Sequence, residues 1–124
     1  MKVLLSIKPE FADKILSGEK QYEFRKIIFK NPNIKTIVIY ATMPVGKVIG
    51  EFTIDEILNG IPSQIWEDTK HASGIQESFF NEYFDKRENA YAIKVKSVKR
   101  YKKPFSLFEI LGRKFPPQSF CYLS

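Results

Sequence analysis

The chain contains one cysteine, Cys121, and one histidine, His71. A lone thiol forms no intrachain disulfide and cannot supply a zinc site made of several cysteines. His71 leaves only carboxylates as companions for a metal, so neither metal nor cofactor is expected. No apolar run approaches membrane-spanning length, and the opening stretch, MKVLLSIKPEF, is too short in its apolar part for a signal peptide. A cytoplasmic protein without membrane association is expected. Also missing are a Gly-rich phosphate loop, a paired-cysteine motif and a Gly-x-Ser-x-Gly elbow.

What remains is compact and basic. With 124 residues and 14.5 kDa, the chain has the length of a single domain, 1–124, that buries a core unaided. Hydrophobic residues make up 44% and aromatic residues 15%, which excludes a disordered chain. The formal net charge is +6 and the pI about 9.4, a surplus that attracts polyanions, nucleic acid foremost; a merely solubilising basic surface is the alternative. The surplus is locally dense. Six of the ten residues from 94 to 103 are basic (Lys94, Lys96, Lys99, Arg100, Lys102, Lys103), and none is acidic. They form a candidate track for a nucleic-acid backbone, and Tyr101 among them offers a ring for base stacking.

Residues 2–8, KVLLSIK, alternate as a strand. Pro9 then suits the first turn of a helix and Gly18 its left-handed end, giving a helix over about 9–17. KQYEFRKI is a second strand, and the KNPN turn leads to KTIVIYAT, apolar enough for burial on both faces. KVIGEFTIDEIL alternates again, with Gly50 marking a bulge or bend. Residues 60–88 read as an insertion of two short helices parted near Ser73–Gly74. Their Phe79, Phe80, Tyr83 and Phe84 stripe and Trp66 read as core packing, with the insertion a possible wall of a cleft. AYAIKVKSV is a further strand. From residue 99 a tail packs on the body, with a short helix over 105–111 and with Phe120 and Tyr122 as anchors. The order gives an α+β fold around one curled, mostly antiparallel sheet.

Two stretches, SIKPEFADKILSGEKQYEFRK and IYATMPVGKVIGEFTIDEI, resemble the ASCH domain of the PUA-like superfamily. The likeness rests on Gly18, Lys20, Glu23 and Arg25 directly after the first helix, on Tyr40-Ala41-Thr42, and on the strand that begins at Gly46. It covers residues 1–58 well and 89–98 less closely. It implies a small β-barrel with a cleft beside the first helix, lined by the motif residues, and a role in RNA or nucleotide biology. Some members are hydrolases of RNA or of modified nucleosides.

Lys20, Glu23 and Arg25 have two readings. One is a solvated ion-pair cluster contributing about 0–1 kcal/mol. The other is a site: Tyr22 and Phe24 fill the core from one strand face, while Glu23 orients the Arg25 fork towards a phosphate, carboxylate or base edge. Lys20 adds a point charge, Lys8 and Ser6 join from the first strand, and Tyr40 is a further contact from a strand end. The expected protein is thus a module binding RNA or a nucleotide-like ligand in a cationic cleft. The alternative is a metal-independent hydrolase of RNA or a modified nucleoside, in which Glu23 acts as general base while Lys20 and Arg25 stabilise charge. The family's amidohydrolase branch has a threonine three residues after the motif lysine. Here that position is Glu23, so the hydroxyl nucleophile is missing and that chemistry does not carry over.

Overall fold

The computed structural model describes residues 1–124. Six strands and four α-helices follow one another as β1 (Lys2–Ile7), α1 (Pro9–Ser17), β2 (Tyr22–Arg25), β3 (Thr36–Ala41), β4 (Lys47–Gly60), α2 (Pro62–Thr69), α3 (Glu77–Tyr83), β5 (Ala90–Phe105), α4 (Leu107–Leu111) and β6 (Phe120–Leu123), with one 3₁₀ turn at Lys70–Ala72. The fold is α+β, as the sequence implies. The strands form one sheet in the order β2-β5-β4-β3-β1-β6. Only β1 and β3 run parallel; the other pairs are antiparallel.

Barrel closure is not found. β2 and β6 are the sheet's two edges and do not pair with each other. Side chains link β6 to the segment that follows β2 instead. The Tyr122 hydroxyl accepts from the backbone N–H groups of Lys30 and Asn31 at 3.2 and 3.3 Å, and Phe29 meets Phe120 edge-on.

Each face of the sheet is covered. α1 lies over Val3, Leu5, Ile7, Ile37, Ile39 and Phe52, and α4 covers Leu4, Val38, Tyr40 and Val48 on the other face. This double burial explains the unbroken apolar run of β3. Gly50 sits where Leu16 of α1 meets the sheet. A Cβ there would lie 2.6 Å from the Lys99 carbonyl and 3.1 Å from a Leu16 methyl. The expected irregularity is also present: Val48 pairs with Phe105 but Gly50 with Arg100, so β5 loops out between the two pairings.

A third cluster contains Tyr22, Phe24, Ile65, Phe80 and Phe84. Tyr22 and Phe24 therefore pack beneath the helical insertion and not in the main core. The tail also begins later than expected. Residues 99–105 are the far half of β5, and β6 pairs with β1 through Leu5–Phe120 and Lys2–Leu123.

Candidate functional site

Where β1 runs out, the chain turns straight into α1. Lys8 occupies the N-cap position without a side-chain cap, and Pro9 follows in the first turn, where its missing N–H leaves no bond unmade. The helix stops at Gly18, whose φ of 89° is the left-handed conformation that glycine adopts without strain. The next residues are sewn to two partners. The Lys20 N–H donates to the Lys14 carbonyl and the Gln21 N–H to the Ala72 carbonyl, each at 2.9 Å. Lys20 is thus wedged between the end of α1 and the insertion.

Its side chain is only 1% exposed. The ammonium donates to the Ser73 carbonyl at 2.9 Å and lies 4.6 Å from the Phe24 ring centre and 5.5 Å from that of Phe11. An ammonium carries three N–H donors, and the protein accepts one of them. Burial lowers the Lys20 pKa to about 8; Glu23 opposes that shift and Lys14 adds to it. Gly74 makes the burial possible. It has φ of 70°, and a Cβ on it would stand 2.5 Å from the Lys20 Cβ.

Glu23 and Arg25 share one face of β2. Their ion pair measures 3.3 Å, with side chains 7% and 12% exposed. The guanidinium is heavily committed: it also donates to the Ser6 carbonyl at 3.3 Å and to the Ser119 carbonyl at 3.0 Å. Glu23 is freer, since Arg25 engages only its Oε2.

These groups border a cavity of about 240 Å³. Ser6, Lys8, Lys20, Glu23 and Arg25 all line it, so five of the six residues singled out for ligand contact meet there. Ser6 has its hydroxyl turned to the Pro117 carbonyl at 3.1 Å. Tyr40 is the exception and is not among the residues lining the cavity. It is 4% exposed and packs with Leu4, Val38, Val48 and Leu107 beneath α4, because the strand end it occupies is covered on that face.

The aromatic walls come from α1, β2 and the insertion: Phe11, Phe24, Phe79 and Tyr83. The Phe stripe of α3 therefore divides. Phe80 and Phe84 enter the core, while Phe79 and Tyr83, four residues apart, turn to the cavity. Burial raises the Tyr83 pKa, so its hydroxyl keeps its proton. Phe79, Tyr83, Ser73 and Gly74 were not recognisable as site residues in the sequence. Only the fold brings positions some fifty residues apart together, although the i, i+4 aromatic spacing and the glycine between two helices were visible. His71 stacks edge-on to Tyr22 at 5.9 Å and is not among the residues lining the cavity.

The basic run of residues 94–103 lies along β5 and does not form one stripe. Lys94 pairs with Asp55 at 3.5 Å and Arg100 with Asp13 of α1 at 3.4 Å. Lys99 stands opposite Glu51, whose carboxylate accepts from Lys2 and from Tyr101. Lys96, Lys102 and Lys103 are exposed.

The open α+β sheet is that of a known class. The sequence matches the ASCH domain model over residues 5–99, and the chain belongs to the ASCH domain family. It is similar to a protein of Zymomonas mobilis named "ASCH domain-containing ribonuclease", 33% identical over 125 residues that cover 98% of this chain and 84% of that one. A crystal structure of ASCH from Zymomonas mobilis superposes with a TM-score of 0.90 at 33% identity, covering 99% of this chain and 87% of that one. A serine-to-alanine mutant of the Zymomonas protein gives 0.91 at 32% identity, covering 99% and 88%.

Proposed function

We propose that this protein acts on RNA by holding one unstacked nucleotide in the Lys20–Glu23 cavity. The observation that carries the proposal is Lys20 itself. Nothing in the core requires a cation there, and its burial raises the energy of the charged form. Yet two of its donors remain for a ligand. Glu23 offers a nearby acceptor, so the cavity presents donor and acceptor together, as a base edge demands. Phe11, Phe24, Phe79 and Tyr83 supply ring faces, and stacking on such rings stabilises a bound base by roughly 1–3 kcal/mol. The volume of about 240 Å³ suits a nucleotide fragment better than a drug-sized ligand, whose sites run to roughly 300–1,000 Å³. Three cations line the cavity against one carboxylate, which supports reading the cleft as cationic.

Titration of labelled single-stranded RNA at rising salt tests this directly. Affinity falls steeply with salt, and Glu23→Gln weakens binding tenfold or more. RNA that fails to bind even at low salt rejects the proposal.

The similarity to a protein named as a ribonuclease favours a second reading, in which the same cavity cleaves RNA without a metal. Glu23 takes the proton of a ribose 2′-hydroxyl. The 2′-oxygen then bonds to phosphorus, the bond to the 5′-oxygen breaks, and the Lys20 ammonium gives a proton to that leaving oxygen. Arg25 and the unused Lys20 donors stabilise the charge on phosphorus. Incubation of labelled RNA with chelator separates the two readings. Turnover that disappears in Glu23→Gln supports the enzyme, and binding without turnover supports the module.

A further inference from the structure

The sheet register brings a second surface to the end of the sheet where Ser6 and Lys8 border this cavity. Ile7 of β1 pairs with Ala41 of β3, Ala41 with Lys47 of β4, and Val48 with Phe105 of β5. The Thr42–Gly46 turn and the start of α4 therefore stand at the same end of the sheet as Ser6 and Lys8. The Thr42 N–H donates to the Ile7 carbonyl at 3.0 Å and fixes that turn beside β1. This rim exposes four large apolar side chains: Met43 at 75%, Val45 at 44%, Phe105 at 38% and Phe108 at 61%. Lys47 and Lys103 are exposed there as well, and both lie close enough to act on the Glu109 carboxylate of α4. Exposed rings beside lysines suit a single-stranded nucleic acid: the rings stack bases and the lysines meet phosphates.

We propose that this rim binds the nucleotides flanking the one held in the cavity, so that the two form a continuous RNA track. The inference rests on the RNA reading above. From β1 to β5 the rim crosses three inter-strand steps, about 14 Å at ~4.8 Å each. At the ~3.4 Å rise of a stacked strand that distance holds about four nucleotides. The track thus runs across the strand ends. It leaves out the upper part of β5, where Lys94 and Arg100 are already ion-paired with Asp55 and Asp13.

Fluorescence anisotropy with labelled single-stranded RNA of two and of eight nucleotides tests the track. Two double variants are compared with the parent, Phe105→Ser with Phe108→Ser, and Lys47→Ser with Lys103→Ser. All four positions are exposed, and thermal melting by circular dichroism verifies folding. The aromatic pair should weaken octanucleotide binding tenfold or more and change dinucleotide binding less than twofold. The lysine pair should lower the log–log salt slope for the octanucleotide by about 1.4, two phosphate contacts on a single strand. Octanucleotide binding that depends on Glu23 but stays within threefold in both rim variants overturns the track and leaves the cavity reading standing. If the parent protein binds neither RNA, both fall.

Discussion

The Arg25 guanidinium donates to the Ser119 carbonyl at 3.0 Å and so ties β2 to the segment that leads into β6. These are the two edges that strand pairing leaves open. The same guanidinium reaches the Ser6 carbonyl of β1 and its β2 neighbour Glu23, so one side chain ties β2 to β1 and to the segment before β6 and also forms part of the cavity wall. A residue that reads as a ligand-binding arginine in the sequence is therefore first a clamp on the sheet.

Replacing Arg25 with lysine tests the clamp. A lysine keeps the charge but has no planar fork, and cannot serve acceptors spread over β1, β2 and the segment before β6. The expected loss is about 2–4 kcal/mol, from charged hydrogen bonds and a Glu23 carboxylate left without its partner. Urea unfolding measures the loss, and hydrogen exchange should quicken at β6 before the rest of the sheet. Exchange at β6 that matches the parent protein would rule the clamp out.

Lys20 carries a pH signature. Its folded pKa is about 8 against an ordinary 10.5. Below pH 8 it is protonated in both folded and unfolded chains, and the folded state bears the full desolvation penalty. Between 8 and 10.5 the unfolded chain binds more protons, so stability from this group rises with pH, by on the order of 3 kcal/mol. Lys20→Met removes the titration. The variant should be more stable than the parent at pH 7 and lose that advantage by pH 10.5, where the missing bond to Ser73 tells against it. Urea midpoints at both values decide, and an unchanging difference contradicts the assignment.

Much of this was legible in the sequence because local rules and tertiary structure agree. Pro9 and Gly18 bracket α1, Gly50 marks its bulge, and Asn31-Pro32-Asn33 gives a turn. The five charged or polar residues that meet at the cavity lie close together along the chain, at the end of one strand and the start of another. The failures are of another kind. The second half of β5 is so rich in lysine that it reads as a solvated tail, yet Glu51 of β4, opposite Lys99 and bonded by Tyr101, and Asp13 of α1 accommodate it in the sheet. Tyr40 looks like a rim residue because nothing near it in sequence announces that α4, some seventy positions later, will cover it. Sheet closure by side chains in place of strand pairing has no local signal at all.

Two glycines with left-handed backbones separate conformational strain from packing. Gly18 has φ of 89°, and a methyl group placed on it would find nothing within 4 Å, whereas Gly74 has φ of 70° and the Lys20 stem 2.5 Å away. Alanine at Gly18 should cost about 1–2 kcal/mol, the strain of a non-glycine residue in that region. Alanine at Gly74 carries the same strain and must also displace Lys20. A further cost on the order of 1–3 kcal/mol is expected from the overpacking. The functional effects should diverge as well. Gly74→Ala moves the ammonium off the Ser73 carbonyl and should weaken RNA binding tenfold or more, measured well below the variant's melting temperature. Gly18→Ala, whose new methyl meets nothing, should alter affinity less than threefold. Equal effects of the two substitutions on both stability and affinity would mean that the contact between Gly74 and Lys20 does not set the lysine's position.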